Sequence, residues 1–376
     1  MKFRFRGKNG VLAASLFILS SGPAFGQEPA TRTGSAASVE IPGTEVHTLT
    51  SSIDGQEYTI HVLLPPGYGD ASRRFPELYL LDAQTDFPLV QGLLLSQVEE
   101  GFVPPLLLVG ITWGGGRPNY GQLRTRDFTP TKHPRLAQTG NAANFLKFIK
   151  QDLVPFIGSH YRTNQERTLM GHSAGGLFTL YTLFHEPALF RQYLAASPSL
   201  GYDFTAITSY EREYASRDAR PPARIFLSVG ELEGPKVNQL MDFAHQLRAR
   251  NYADMELDVK PISDASHNSS RAGAFLEGLR SLYAPRPVAV PPRILDQYPG
   301  AYTLAPGVTV QILKDGSKMF FIAPEGTKYP LIAKSDADFV VRGLYLTLHF
   351  KRNDAGQVTG FDGENANSQH FHPRVK

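Results

Sequence analysis

The sequence predicts an α/β domain, with a mostly parallel sheet and helices on both faces, followed by a small all-β domain. Three observations support this fold class. Between residues 46 and 283, short apolar runs alternate with longer stretches of helical periodicity, the order that builds a parallel sheet with helical crossovers. At 284–293 the chain turns into a Pro-rich segment, which reads as a stiff, extended linker. Beyond it, runs such as 308–313 and 318–322 alternate with period two, broken by turns at Asp315-Gly316, Glu325-Gly326 and Asp354-Ala355-Gly356. Residues 294–376 therefore read as a curled antiparallel sheet or barrel.

The N-terminus carries Lys2, Arg4, Arg6 and Lys8, then an apolar run over 11–19, then Ala24-Phe25-Gly26. A basic start, a short apolar stretch and small residues at the −3 and −1 positions describe a secretory signal peptide over 1–26. The run is too short for a permanent membrane span, so the mature chain is expected to be exported, periplasmic or secreted, without an integral membrane segment. Removing these four basic residues takes the net charge from +3 to −1, which gives no electrostatic reason to expect nucleic acid as a partner. The chain has no cysteine, which excludes disulfides and thiolate metal sites. No cofactor or metal is expected. Residues 27–41, rich in Ala, Thr, Ser, Gly and Pro, read as a disordered lead-in to a catalytic domain over 42–283.

Taken in order, 46–53 and 58–64 read as strands joined by Asp54-Gly55, a strong hairpin signal. Leu78-Tyr-Leu-Leu81 is an apolar run expected of a strand buried on both faces, ending in Asp82-Ala83-Gln84 before a helix over 87–100. The next buried strand covers 105–112. Trp113 and three glycines then open an irregular loop to about Gly140, long enough to line a site. Residues 141–161 carry an apolar face at helical spacing, with Pro155 predicting a kink. Strands follow at 190–197, 224–229 and 255–261, with helices at 236–250 and 271–283. In such sheets the chemistry sits at the carboxyl ends of the strands.

One stretch carries a chemical signature. In Thr168-Leu-Met-Gly-His-Ser-Ala-Gly-Gly-Leu, a short strand passes into a helix through Gly171-x-Ser173-x-Gly175, the pattern of a nucleophile elbow. A glycine-rich turn with an incidental serine is the competing reading. A serine hydroxyl needs a base, and the base needs a group to orient it. His267 lies in the polar loop 263–269, after a late strand and before the last helix, where that base belongs. The acid should follow the strand 224–229. Glu233 is the best placed, with Glu231 second and Asp203, after the preceding strand, third. Acyl transfer also needs donors for a tetrahedral oxyanion. The Ala174 N–H is one, and the second belongs to the loop after the third strand, at Gln84 or Ala83.

Together, Leu78-Tyr-Leu-Leu-Asp82, Arg126-Asp-Phe-Thr-Pro130, Gly171-His-Ser-Ala-Gly-Gly-Leu-Phe178, Ala196-Ser-Pro-Ser-Leu200, Ser228-Val-Gly-Glu-Leu-Glu233 and Ser266-His267 resemble the esterase D-like branch of the α/β-hydrolases. The likeness spans roughly 46–283 and lies near the trilactone siderophore esterases of Gram-negative bacteria. It implies an α/β-hydrolase fold, with Ser173 as nucleophile and His267 as base. It also implies that Arg126 lies near the substrate, where its fork would hold a carboxylate or catechol oxygen, against the alternative of an Arg126–Asp127 pair pinning the long loop. Trp113 is a candidate wall of the substrate pocket, with core packing as the alternative. Two features depart from the siderophore esterases. They more often show Asp-Gly-Asn where this chain has Asp82-Ala83-Gln84, and they lack a C-terminal β domain. That domain, with Tyr298-Pro-Gly-Ala-Tyr302 and Gly356-Gln-Val-Thr-Gly360, resembles a lipocalin-like module appended to secreted serine hydrolases. The expectation is a serine ester hydrolase acting on a small-molecule ester. A secreted acyltransferase on the same fold, or a ligand-binding protein whose β domain is the functional part, are the alternatives.

Overall fold

The computed structural model describes residues 40–217, 220–365 and 368–375. The expected signal peptide lies outside the described residues, as does the expected lead-in apart from its last two positions. Gly43–Lys376 form one compact unit containing two eight-stranded sheets.

The first sheet has the order β1-β2-β4-β3-β5-β6-β7-β8. The hairpin β1 (Thr44–Thr50) and β2 (Glu57–Leu63) closes at Ser51–Gln56, with Gly55 at φ 73°, the conformation that calls for glycine. β2 runs antiparallel to β4 (Leu107–Trp113), and every later pairing is parallel. These are β3 (Phe75–Leu80), β5 (Thr163–His172), β6 (Gln192–Ala196), β7 (Ala223–Gly230) and β8 (Met255–Ile262). β3 and β4 are buried at every position, with Glu77 and Thr112 as buried polar positions within them. This is the α/β-hydrolase arrangement that the sequence predicts.

The helices depart from expectation in three places. α1 (Ala83–Glu99) begins four residues before the expected start, because Pro88 sits inside its second turn and disguises the true one. The loop after β4 is not irregular throughout: it contains α2 (Tyr120–Phe128), capped by the Asn119 side chain on the Gln122 N–H. The single kinked helix expected over 141–161 is α3 (Ala142–Phe148), a π-turn over Ile149–Leu153, and α4 (Val154–His160). Pro155 lacks the N–H that would bond one turn back, and the widened turn falls directly before it. The remaining helices are α5 (Ala174–His185), α6 (Phe204–Ala215), α7 (Pro235–Ala249) and α8 (Ser270–Leu282).

After a one-turn helix α9 (Pro292–Leu295), β9 (Gly300–Ala305) through β16 (Gln369–Pro373) form an up-and-down antiparallel sheet in sequence order. A bridge between Tyr302 and Arg374, and a hydrogen bond from Val375 N to Ala301 O, bring its two edges together into a near-barrel. Tyr298, Tyr302, Ile312, Phe339, Leu348, Phe350 and Phe361 fill the inside. The barrel meets the first sheet where the parallel strands begin. The Arg73 guanidinium reaches the Tyr345 hydroxyl, Arg342 lies over the Phe102 ring, and a Cβ on Gly101 would strike the Leu344 carbonyl at 2.2 Å. A cavity of about 420 Å³ lies in this seam. The carboxyl ends of the strands point the other way.

Candidate active site

The elbow is built by sterics. β5 ends at His172, Ser173 takes φ 61° and ψ −117°, and α5 starts at Ala174. A serine held at that φ is strained, and the flanking close approach maintains it. A Cβ on Gly171 would lie 2.5 Å from the Gly175 carbonyl carbon, and one on Gly176 would lie 3.0 Å from the Ala196 oxygen. At Gly175 a Cβ would meet nothing closer than 3.4 Å. The glycines the turn requires are thus Gly171 and Gly176, so the second glycine of the five-residue pattern is the dispensable one.

The structure brings Ser173, His267 and Glu233 into one line. His267 Nε2 lies 2.9 Å from Ser173 Oγ, and His267 Nδ1 lies 2.6 Å from Glu233 Oε2. An ionised carboxylate only accepts, so Nδ1 carries the proton and Nε2 presents its lone pair to the serine. Glu233 ends the short turn after β7 and its side chain is 2 % exposed. Burial pushes its pKa up, but hydrogen bonds from His267, Ser197 Oγ (2.7 Å) and the Gly230 N–H (2.9 Å) outweigh burial and hold it at about 2. The two competing acids are occupied elsewhere. Glu231 accepts from Ser263 Oγ and the Asp264 N–H, bracing the loop that carries the histidine. Asp203 caps α6 and accepts from Thr131 Oγ1.

Ala174 is the first residue of α5, so its N–H is among those without an intrahelical acceptor. Ala83 and Gln84 hold the same position in α1, and the Gln84 side chain accepts from Thr112 Oγ1 at 2.9 Å. A Cβ on Gly175 would meet Asp82 Oδ2, so the starts of the two helices face each other beside Ser173. Two helix N-termini converging there favour negative charge.

Arg126 and Trp113 sit differently from the substrate-contact expectation. The Arg126 fork is filled by Asp127, with Nε to Oδ1 at 2.7 Å and Nη2 to Oδ2 at 2.8 Å, while Nη1 reaches Gln56. Asp127 is fully buried and also accepts from Tyr58 OH, Trp113 Nε1 and Asn141 Nδ2. Trp113 is 2 % exposed, with its ring against Phe128. Both residues tie down the chain between β4 and α3, so the pairing and packing alternatives describe them.

Several residues near the serine carry no motif of their own in the sequence. Ser199 Oγ lies 3.2 Å from Ser173 Oγ, and Ser197, at φ 40°, supports Glu233. The Ala-Ser-Pro-Ser string was the available signal for both. Arg124, two residues before Arg126, donates to Asp82 Oδ1 and to the His172 carbonyl. Among the described residues, no group of three or more His, Cys, Asp or Glu is arranged to hold a metal ion, and no helix is long and apolar enough to cross a membrane.

The family model "Putative esterase" matches residues 51–266. The chain belongs to this family. The esterase is 32 % identical over 236 residues to the ferri-bacillibactin esterase BesA of Bacillus subtilis (strain 168), covering 58 % of this chain and 81 % of that one. Among solved structures it is similar to the BES protein from Bacillus cereus, at TM-score 0.60 and 26 % identity, covering 67 % of this chain and 98 % of that one. An IroE-like serine hydrolase from Shewanella oneidensis matches at TM-score 0.58 and 26 % identity, covering 68 % and 85 %. The esterase is an ester hydrolase by family, and the family match ends before the barrel begins.

Proposed function

We propose that this chain is an exported serine carboxylic-ester hydrolase working through Ser173, His267 and Glu233. The observation that carries the reading is the unbroken hydrogen-bonded line from Glu233 through His267 to Ser173. Ser173 Oγ attacks the ester carbonyl while His267 Nε2 takes its proton, and Glu233 stabilises the imidazolium that forms. The Ala174 N–H and one N–H at Ala83 or Gln84 hold the oxyanion. Collapse expels the alcohol, protonated by His267, and leaves an acyl-enzyme. Water, deprotonated by the same imidazole, then releases the acid and restores Ser173.

The substrate we propose is a siderophore-like ester, on the strength of the likeness to the ferri-bacillibactin esterase. Export rests on the signal-peptide features of residues 1–26. The barrel seam lies at the opposite end of the strands from Ser173, which supports reading the barrel as a separate module and not as a wall of the ester site.

Ser173→Ala should abolish both turnover of short activated esters and labelling by fluorophosphonates. Labelling that persists at another serine would overturn the assignment. A panel of esters with varied acyl and alcohol parts, trilactone siderophores included, tests the substrate: the siderophore reading fails if simple esters turn over and the lactones do not.

A further inference from the structure

Behind the Ser173–His267 pair sits a second imidazole that the chemistry above does not use. His172, the last residue of β5, is 1 % exposed. Its Nε2 lies 2.8 Å from the main-chain oxygen of His267, and the two rings are 4.8 Å apart. On the other side, Arg271 Nη2 lies 3.3 Å from His172 Nδ1. A guanidinium has only donors, so Nδ1 must accept. The one proton of the neutral ring is then on Nε2, where it is donated to the His267 carbonyl.

The support for His172 is doubled. Arg271 Nη1 is held by Asp86 Oδ1 at 2.8 Å. Arg124 donates Nη2 to the His172 carbonyl at 3.0 Å and is itself held by Asp82 Oδ1 at 2.8 Å. Asp82 stands at the N-cap of α1 and Asp86 in its first turn. Each carboxylate therefore holds one arginine, and the two arginines grip His172 by its ring and by its main chain.

We propose that His172 is a positioning residue for the base: it holds the main chain at His267, in the Nε2–H form imposed by Arg271. This rests on the reading of His267 as the base. His172 is also the neighbour of Ser173 in the chain, so nucleophile and base are linked through one residue. The His267 carbonyl accepts in addition from Ser270 Oγ at 3.0 Å, so removing His172 slackens the loop without releasing it. Burial, together with the Arg271 charge, keeps the His172 pKa far below its usual value. A neutral ring is what the site needs beside His267 when that imidazole becomes charged.

The test uses the full chain with two substitutions. His172→Leu should lower kcat roughly tenfold to a hundredfold, with KM little changed, because the base is displaced and binding is not. His172→Gln, whose amide N–H reaches where the imidazole Nε2–H was, should recover most of that loss. Equal loss in both variants means a packing role and overturns the proposal, as does a wild-type rate in His172→Leu. Nitrogen NMR of the unmodified protein gives a readout independent of folding in the variants. At neutral pH His172 should be the neutral Nε2–H tautomer, and an Nδ1–H or doubly protonated ring overturns the proposal. Ser173→Ala separates the two readings. If that variant still turns over, the esterase assignment itself fails; if it is inactive while His172→Leu runs at the wild-type rate, only the positioning role fails.

Discussion

Two regions of this chain hold a histidine by a carboxylate at Nδ1, and they differ in what meets Nε2. At the carboxyl ends of the parallel strands, His267 has buried Glu233 at 2.6 Å and the Ser173 hydroxyl at 2.9 Å. On the barrel, His349 has Asp338 at 2.8 Å and Glu364 at 3.0 Å, both exposed carboxylates. One carboxylate and one hydroxyl leave His267 with a donor and an acceptor, which is the form a general base needs. Two carboxylates ask His349 for two donors, so it prefers the imidazolium and has no lone pair to offer. Burial pulls the His349 pKa down, but the paired carboxylates outweigh it and the net shift is upward. A histidine–acid pair alone is thus not a catalytic sign; the third group decides.

The largest expected effect comes from breaking the acid of the proposed site. Ser197 Oγ and the Gly230 N–H both donate to Glu233 Oε1, so in Glu233→Gln that position is kept by the amide oxygen. The NH₂ group then faces His267 Nδ1 and forces the proton on to Nε2, the wrong tautomer for accepting from Ser173. By analogy with an Asp→Asn change in a serine-protease triad, kcat should fall by about 10⁴, with the fold intact. The matching change on the barrel, Asp338→Asn, should leave kcat unaltered. Steady-state kinetics on an activated ester checks both, and a Glu233→Gln enzyme within tenfold of wild type would show that Glu233 does not orient the base.

Much of this site could be read from the sequence because topology ties it to strand ends. Ser173 is marked by its Gly-x-Ser-x-Gly pattern, and His267 and an acid after β7 are picked out by their order after the late strands. The sequence ranks Glu233 over Glu231 by its place after the strand, and the way the three-residue turn faces supplies the reason. Arg124 and Arg126 show the same limit. They stand two apart on α2, on nearly opposite faces, so one reaches the elbow and the other reaches back to Asp127. That helix was hidden because it sits in a stretch rich in Gly, Pro and Asn and has a weak apolar face. The hydrogen-bonded cluster around His172 was invisible for a different reason: its members come from β5, α1, α2 and α8, brought together only by the fold.

Asp127 separates what burial does from what an imidazole does, since it is a buried carboxylate with no histidine. It accepts from Tyr58, Trp113, Arg126 and Asn141. Asp127→Ala leaves the Tyr58 hydroxyl and the Trp113 N–H without this acceptor beside a partly buried guanidinium, and should cost about 3 kcal/mol of stability. The loss should appear in denaturant midpoints, and KM for esters should change far less than stability does. A variant as stable as wild type would mean that the stretch between β4 and α3 is held by apolar packing alone.

The smallest effect belongs to His349, and there the sign is the test. Its pKa in the folded protein is raised. The stability it contributes is therefore fully present below its unfolded value, near about pH 6.5, and is lost as pH rises through the folded value. Asp362, opposite His349 on the neighbouring strand, is paired with Lys351. All partners are solvent-exposed, so the net contribution should be about 0.5 kcal/mol and should shrink in high salt. His349→Asn is then expected to be less stable than wild type at about pH 5.5 and indistinguishable from it at about pH 8.5, with ester turnover unaltered at both. Urea unfolding at the two pH values measures this directly. A deficit that grows toward alkaline pH would mean that His349 acts through its neutral ring, and the contrast with His267 would disappear.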